Sequence, residues 1–155
     1  MTTTTPLLLI TADPSHPLAH LALRYARTYL ANTDTNNNDT NNNNETDSSD
    51  NSDNNENVPA PLHVFFYADA ANTANRLRWQ SADQMNITQE WQKLAAQYQL
   101  TLPVCVSTAL SRGISDSENS TRHQLDSENL AAGFKLVGLS ELAMMMQGNC
   151  RLLQL

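Results

Sequence analysis

Two residues in the chain carry a side chain that could exchange sulfur, Cys105 and Cys150. Cys105 lies in VCVSTALSRG (Val104 to Gly113), where an apolar run gives way to a possible helix. The thiolate is the reactive form. A pKa of about 8.5 can fall to roughly 3.5–7.5 beside a helix amino end or a cation. Ser107 is a plausible N-cap for such a helix and Gly113 a plausible terminator. Arg112 would add positive charge if the short helix turned it back. In open α/β sheets, sites form outside the carboxyl ends of strands, and Cys105 falls there if the strand ends near Val106. Strict alternation sets Leu100, Leu102, Val104 and Val106 on one face and Thr101, Pro103 and Cys105 on the other. The competing reading is a core cysteine, since free cysteine is among the most buried residue types.

The remaining candidates are weaker. Cys150, in QGNCRLL, reads as an ordinary thiol in a turn before a last strand. Neither cysteine belongs to a CxxC pair or has a neighbouring histidine, so no zinc site is expected. His16, His20, His63 and His123 are scattered without ligand spacing, and no Ser, His and Asp assemble into a triad by spacing. Gly-rich dinucleotide and phosphate loops are absent. Trp79 and Trp91 read as packing residues, and Met144, Met145 and Met146 as core filler on a last helix.

The elements that position Cys105 follow from periodicity. Pro6 to Thr11 holds a buried strand, and Asp13, Pro14 and Ser15 are helix-start signals. Leu18, Leu21, Ala22, Tyr25 and Tyr29 mark the first helical face, and Ile87, Trp91, Leu94, Ala95 and Tyr98 the second. His63 to Tyr67 and Leu100 to Val106 read as strands, with Pro103 implying an edge or a local irregularity. Ser115 to Glu128 reads as loop with a short helix, Phe134 to Val137 as a strand. A helix capped by Ser140 runs to Gln147, and Arg151 to Leu155 is a closing strand. Strands alternating with helices predict an α/β fold, a mostly parallel sheet with helices on both faces.

Charge is localised. Seven of the sixteen acids and no Lys or Arg lie between residues 34 and 57, so nine acids face nine bases elsewhere. Eleven of those 24 residues are Asn. Such a tract has little apolar surface to offset chain entropy, and it is expected to be a disordered insert in one domain spanning 1–155. No basic excess suggests a nucleic-acid grip. MTTTTPLLLITADP lacks a basic leader region, and Leu7 to Ile10 is too short for a signal core or a membrane span. A cytoplasmic, thiol-preserving location is expected.

Three segments carry a resemblance: VFFYADAANTANRL (Val64–Leu77), WQKLAAQYQLTLPVCVSTALSRGI (Trp91–Ile114) and ENLAAGFKLVGLSELA (Glu128–Ala143). They resemble the TusD branch of the DsrE/DsrF-like family, as does the closing RLLQL. The most specific parts are the FFY strand leading to Ala74-Asn75 and the Cys-Val-x-x-Ala-Leu-x-Arg-Gly run from Cys105 to Gly113. The resemblance implies a flavodoxin-like, five-stranded α/β fold and a sulfurtransferase. It assigns Cys105 as the catalytic persulfide carrier, with no metal or organic cofactor. It further implies a heterohexamer with TusB- and TusC-like subunits, sulfur taken from a TusA-like donor and passed to a TusE-like acceptor, and a relay ending in 2-thiolation of the tRNA wobble uridine. Direct nucleic-acid or membrane binding is not expected. Where the family has a glycine soon after the FFY strand, this chain has Ala70. The alternatives are a non-catalytic scaffold subunit, which the presence of Cys105 in its motif opposes, and a small-ligand module, which no phosphate-cradling loop supports.

Overall fold

The computed structural model describes residues 4–39 and 62–155. Five strands, β1 (Thr5–Ile10), β2 (His63–Phe66), β3 (Leu102–Cys105), β4 (Phe134–Val137) and β5 (Cys150–Gln154), form one sheet in the order β4-β3-β2-β1-β5. Every neighbouring pair is parallel. A parallel strand buried on both faces reads as an unbroken apolar run, and Leu7, Leu8 and Ile10 of β1 are sealed from solvent.

The connections are α1 (Pro17–Asp39), a 3-10 helix (Ala68–Ala74) with α2 (Ile87–Tyr98), then α3 (Val106–Ser111) with α4 (Ser117–His123), and α5 (Leu139–Met145). The main core joins Leu8, Ile10, Val64, Phe66, Leu102 and Val104 of the sheet to α1, α2, the 3-10 helix and Ala109 of α3. Phe66 anchors it, meeting Trp91 and Phe134 edge-on at ring-centre distances of 5.4 Å each. The opposite face has a small cluster, Leu7, Phe65 and Cys105, on which Leu142 and Met145 of α5 pack. This is the doubly wound α/β plan predicted from the alternation of elements, with all five strands parallel. No helix among the described residues is long and apolar enough to cross a membrane.

Several sequence expectations need correction. The stripe that α1 buries is Ala19, Ala22, Leu23, Ala26 and Leu30, while Leu18 and Leu21 face solvent. Alanines at three of those five positions allow the helix to approach the sheet closely, so it turns its small residues inward. Tyr25 and Tyr29 lie at the edge of the stripe and stack on each other. Pro103 is in an interior strand, not at an edge, and the β2–β3 ladder is correspondingly short, with the single registered pair Phe66–Val104. Trp91 packs as expected, but Trp79 is 83% exposed. Of the three methionines expected in the core, Met145 packs against the small cluster, while Met144 on the outer side of α5 and Met146 just after it are exposed. Gly138, not Ser140, stands at the α5 N-cap. Helix α1 runs six residues into the Asn/Asp-rich tract, and residues 40–57 of that tract lie outside the described residues.

Candidate functional site

Cys105 is the last residue of β3, paired in register with Val137, the last residue of β4. After β3 the chain crosses to the face carrying the main core, and after β4 it crosses to the face carrying α5. Adjacent strands whose connections leave on opposite faces open a crevice at their carboxyl ends. Cys105 stands at that point. The alternation read from sequence is correct, since Leu102 and Val104 enter the main core and Cys105 points to the other face. That other face is itself apolar there, so Cys105 is 0% exposed.

The thiol is polarised locally. Helix α3 starts at Val106, so Cys105 itself occupies the N-cap, a correction to the expectation that Ser107 would. Cys105 Sγ lies 3.4 Å from Ser107 Oγ, and Thr108 Oγ1 donates to the Cys105 carbonyl oxygen at 3.1 Å. Burial pushes the Cys105 pKa up. The Ser107 hydroxyl, the Thr108 amide and hydroxyl and the Ser107 amide outweigh it, and the net shift is down.

Arg112 does not join this set. Its guanidinium donates to Asp69 Oδ1 at 2.7 and 3.1 Å, to the Thr108 carbonyl at 3.1 Å and to Ser111 Oγ at 3.2 Å. It clamps the end of α3 to the 3-10 helix that follows β2. The first residue of that helix, Ala68, has φ of +52°, a left-handed conformation that favours glycine. Ala70, where the family's glycine was expected, is buried within the helix and is not among the positive-φ residues.

Two further groups shape the carboxyl end of the sheet: Asp13, read from sequence only as a helix-start signal, and Asn129, which sequence reading missed. Asp13 accepts from the Ser15 amide at 2.9 Å and from the Ser15 hydroxyl at 2.6 Å through Oδ1, and from Asn72 Nδ2 at 2.9 Å through Oδ2. Burial raises its pKa, but these bonds and the charge of Arg78 prevail, and the net shift is down. Asn129 accepts from the Ser115 amide at 2.9 Å and donates to the Gly113 carbonyl at 2.9 Å and to Asn75 Oδ1 at 3.2 Å. Asn75, singled out in sequence for its motif, thereby helps fix the loop after α3. The Asp13–Ser15 turn belongs to the helix-start signal, whereas the contacts of Asp13 with Asn72 and of Asn129 with Asn75 join residues far apart in sequence and leave no local signal. The Ser107 contact follows from Cys105 taking the N-cap position expected for Ser107.

Cys150 is far from this assembly. It is in register with Thr5 at the start of β1, whereas Cys105 is one residue beyond the Ile10–Phe66–Val104 level. The separation along the strands alone is about 20 Å, against a Cα–Cα reach of about 4.4–6.8 Å for a disulfide. Both cysteines are free.

Residues 7–155 match the DsrE/DsrF-like family. The chain belongs to that family. Two curated relatives are Sulfurtransferase TusD of Sodalis glossinidius, 38% identical over 59% of this chain and 70% of its own length, and Sulfurtransferase TusD homolog of Aliivibrio fischeri, 41% identical over 52% of this chain. The matched stretch spans 62% of the Aliivibrio relative. The crystal structure of the ychN protein from E. coli shares the fold, with a TM-score of 0.63 at 15% identity over 99% of this chain and 100% of that one. This DsrE/DsrF-like chain therefore places its motif cysteine at the winding switch of the family's parallel sheet.

Proposed function

We propose that the protein is a sulfurtransferase in which Cys105 carries sulfur as a persulfide. The observation that supports this most directly is the setting of that sulfur: the carboxyl end of β3, at the winding switch, with its pKa lowered by hydroxyl and amide neighbours. The curated relatives named as sulfurtransferases support the same reading.

The chemistry balances without a cofactor. The Cys105 thiolate attacks the outer sulfur of a donor persulfide. A new S–S bond forms on Cys105, the donor's S–S bond breaks, and its electron pair leaves on the donor sulfur as a thiolate. An acceptor thiolate then attacks the outer sulfur on Cys105, and Cys105 leaves as thiolate. The sulfane sulfur keeps its oxidation level throughout, so no external oxidant is consumed. We assign the donor to a TusA-like carrier, the acceptor to a TusE-like protein and the assembly to TusB- and TusC-like subunits, in a reducing cytoplasm. The relay serves 2-thiolation of the tRNA wobble uridine.

Transfer needs a sulfur that partners can touch, and Cys105 is covered in the single chain. Its cover on the α5 side is thin, since α5 buries no residue fully. Elements of that kind open at low free energy. Loading the intact protein from a persulfide donor and mapping added sulfur by mass spectrometry tests the proposal. Sulfur is expected on the Cys105 peptide and absent in Cys105→Ser, and equal loading of that variant would sink the idea. The burial of Cys105 favours one second reading, a non-catalytic scaffold subunit. Complementation of a strain lacking wobble-uridine thiolation separates the two, because a scaffold tolerates Cys105→Ala and a carrier does not.

A further inference from the structure

Cys105 Sγ is sealed, yet the residue whose hydroxyl touches it is open to solvent. Ser107 is exposed, and its Oγ lies 3.4 Å from the buried Sγ. The neighbouring hydroxyl of Thr108 donates to the Cys105 carbonyl oxygen at 3.1 Å and, behind Ser107, also contributes to lowering the Cys105 pKa. Among the described residues, Sγ is the one partner of the Ser107 hydroxyl.

We infer that Ser107 is a second working residue of the transfer, its hydroxyl donating a hydrogen bond to Cys105 Sγ whenever that sulfur is a thiolate. The inference rests on Cys105 as sulfur carrier. A thiolate has no proton to give, so in the ionised state the direction of this bond is fixed: Ser107 donates and Cys105 accepts. Sγ is a thiolate at two moments, before it attacks the donor persulfide and when it leaves after the acceptor takes the outer sulfur. The same hydroxyl therefore assists both half-reactions. In the first it raises the ionised fraction, and in the second it stabilises the leaving group. No proton passes from Ser107 to sulfur, and no bond to oxygen forms. Hydrogen bonds to charged groups are stronger than those to neutral ones, which makes the contact selective for the thiolate.

The test measures Cys105 ionisation against pH in the full chain carrying Cys150→Ser, by the ultraviolet absorbance of the thiolate and by the rate of alkylation at Cys105. In Ser107→Ala the midpoint is expected to rise by about one unit, with a roughly tenfold slower alkylation near neutral pH. Ser107→Thr keeps a hydroxyl and is expected to restore the original midpoint. A purely structural role would alter access and scale the alkylation rate equally at every pH, leaving the absorbance midpoint in place. An unmoved midpoint in Ser107→Ala, or one that rises as far in Ser107→Thr, overturns the inference. Neither result touches the relay reading, which is tested separately by sulfur loading of Cys105 from a persulfide donor.

Discussion

Arg112 shows how a residue near Cys105 can brace the site without polarising the thiol. Its guanidinium is spent on Asp69 and the end of α3. Arg112→Ala is therefore expected to lower stability by about 1 kcal/mol or less, as for other part-exposed ion pairs, while the ionisation midpoint of Cys105 stays put. Thermal unfolding and the pH dependence of alkylation check the two halves. Ala68 makes a different contribution. A non-glycine residue held left-handed costs about 1–2 kcal/mol, and glycine gives back roughly 0.5–1 kcal/mol in unfolded-state entropy. Ala68→Gly is expected to raise the unfolding midpoint slightly. The proposed role of Cys105 rests on the motif resemblance, whereas its place at the end of a strand and before a helix was legible from VCVSTALSRG. Its burial was not, since alternation reports which face a side chain takes and not what lies on that face.

Helices and strands were legible wherever one pattern spanned several residues. Phe134 to Val137 matches β4 because a short apolar run between Gly133 and Gly138 has no other place to go. The expected face of α1 is right at Ala22 and at the flanking Tyr25 and Tyr29 but too wide at Leu18 and Leu21, because close packing against the sheet favours the small Ala19, Ala22 and Ala26. The loops at the carboxyl end depend on charge, which gives the fold a pH signature. The folded pKa of Asp13 is lowered by Ser15, Asn72 and Arg78 against its burial. A group with a lowered folded pKa stabilises fully above its unfolded value, and that contribution is lost as pH falls through the folded one. Glu90 behaves in the same way, lowered chiefly by its bond to Lys93, with Arg27 of α1 adding to it. The unfolding midpoint is expected to drop as pH falls below the unfolded carboxylate values of about 4 and on through the lowered folded ones, and to drop less in Asp13→Asn. At the other side of the site, Leu142→Ala thins the α5 cover. Alkylation of Cys105 is expected to speed up by a similar factor at every pH, with no change of midpoint.

Across the molecule the two faces of the sheet are unequal. One holds a deep core with Phe66, Trp91 and Phe134 at its centre, and the other a shallow cluster under a single short helix. Phe66→Ala is expected to cost about 3–5 kcal/mol in denaturant unfolding, whereas Trp79→Ala, at a position 83% exposed, should change stability by less than about 0.5 kcal/mol. The geography of the crossovers has one more consequence. A helix that joins two parallel strands runs back against them, so α1 starts beside the carboxyl ends and finishes beside the amino ends, where β2 begins. The Asn/Asp-rich tract is thus rooted at the hemisphere away from Cys105. Replacing residues 40–61 with a shorter Gly/Ser linker should leave sulfur loading of Cys105 intact. A chain segment anchored at the back of the molecule can change length without moving the residues at the front.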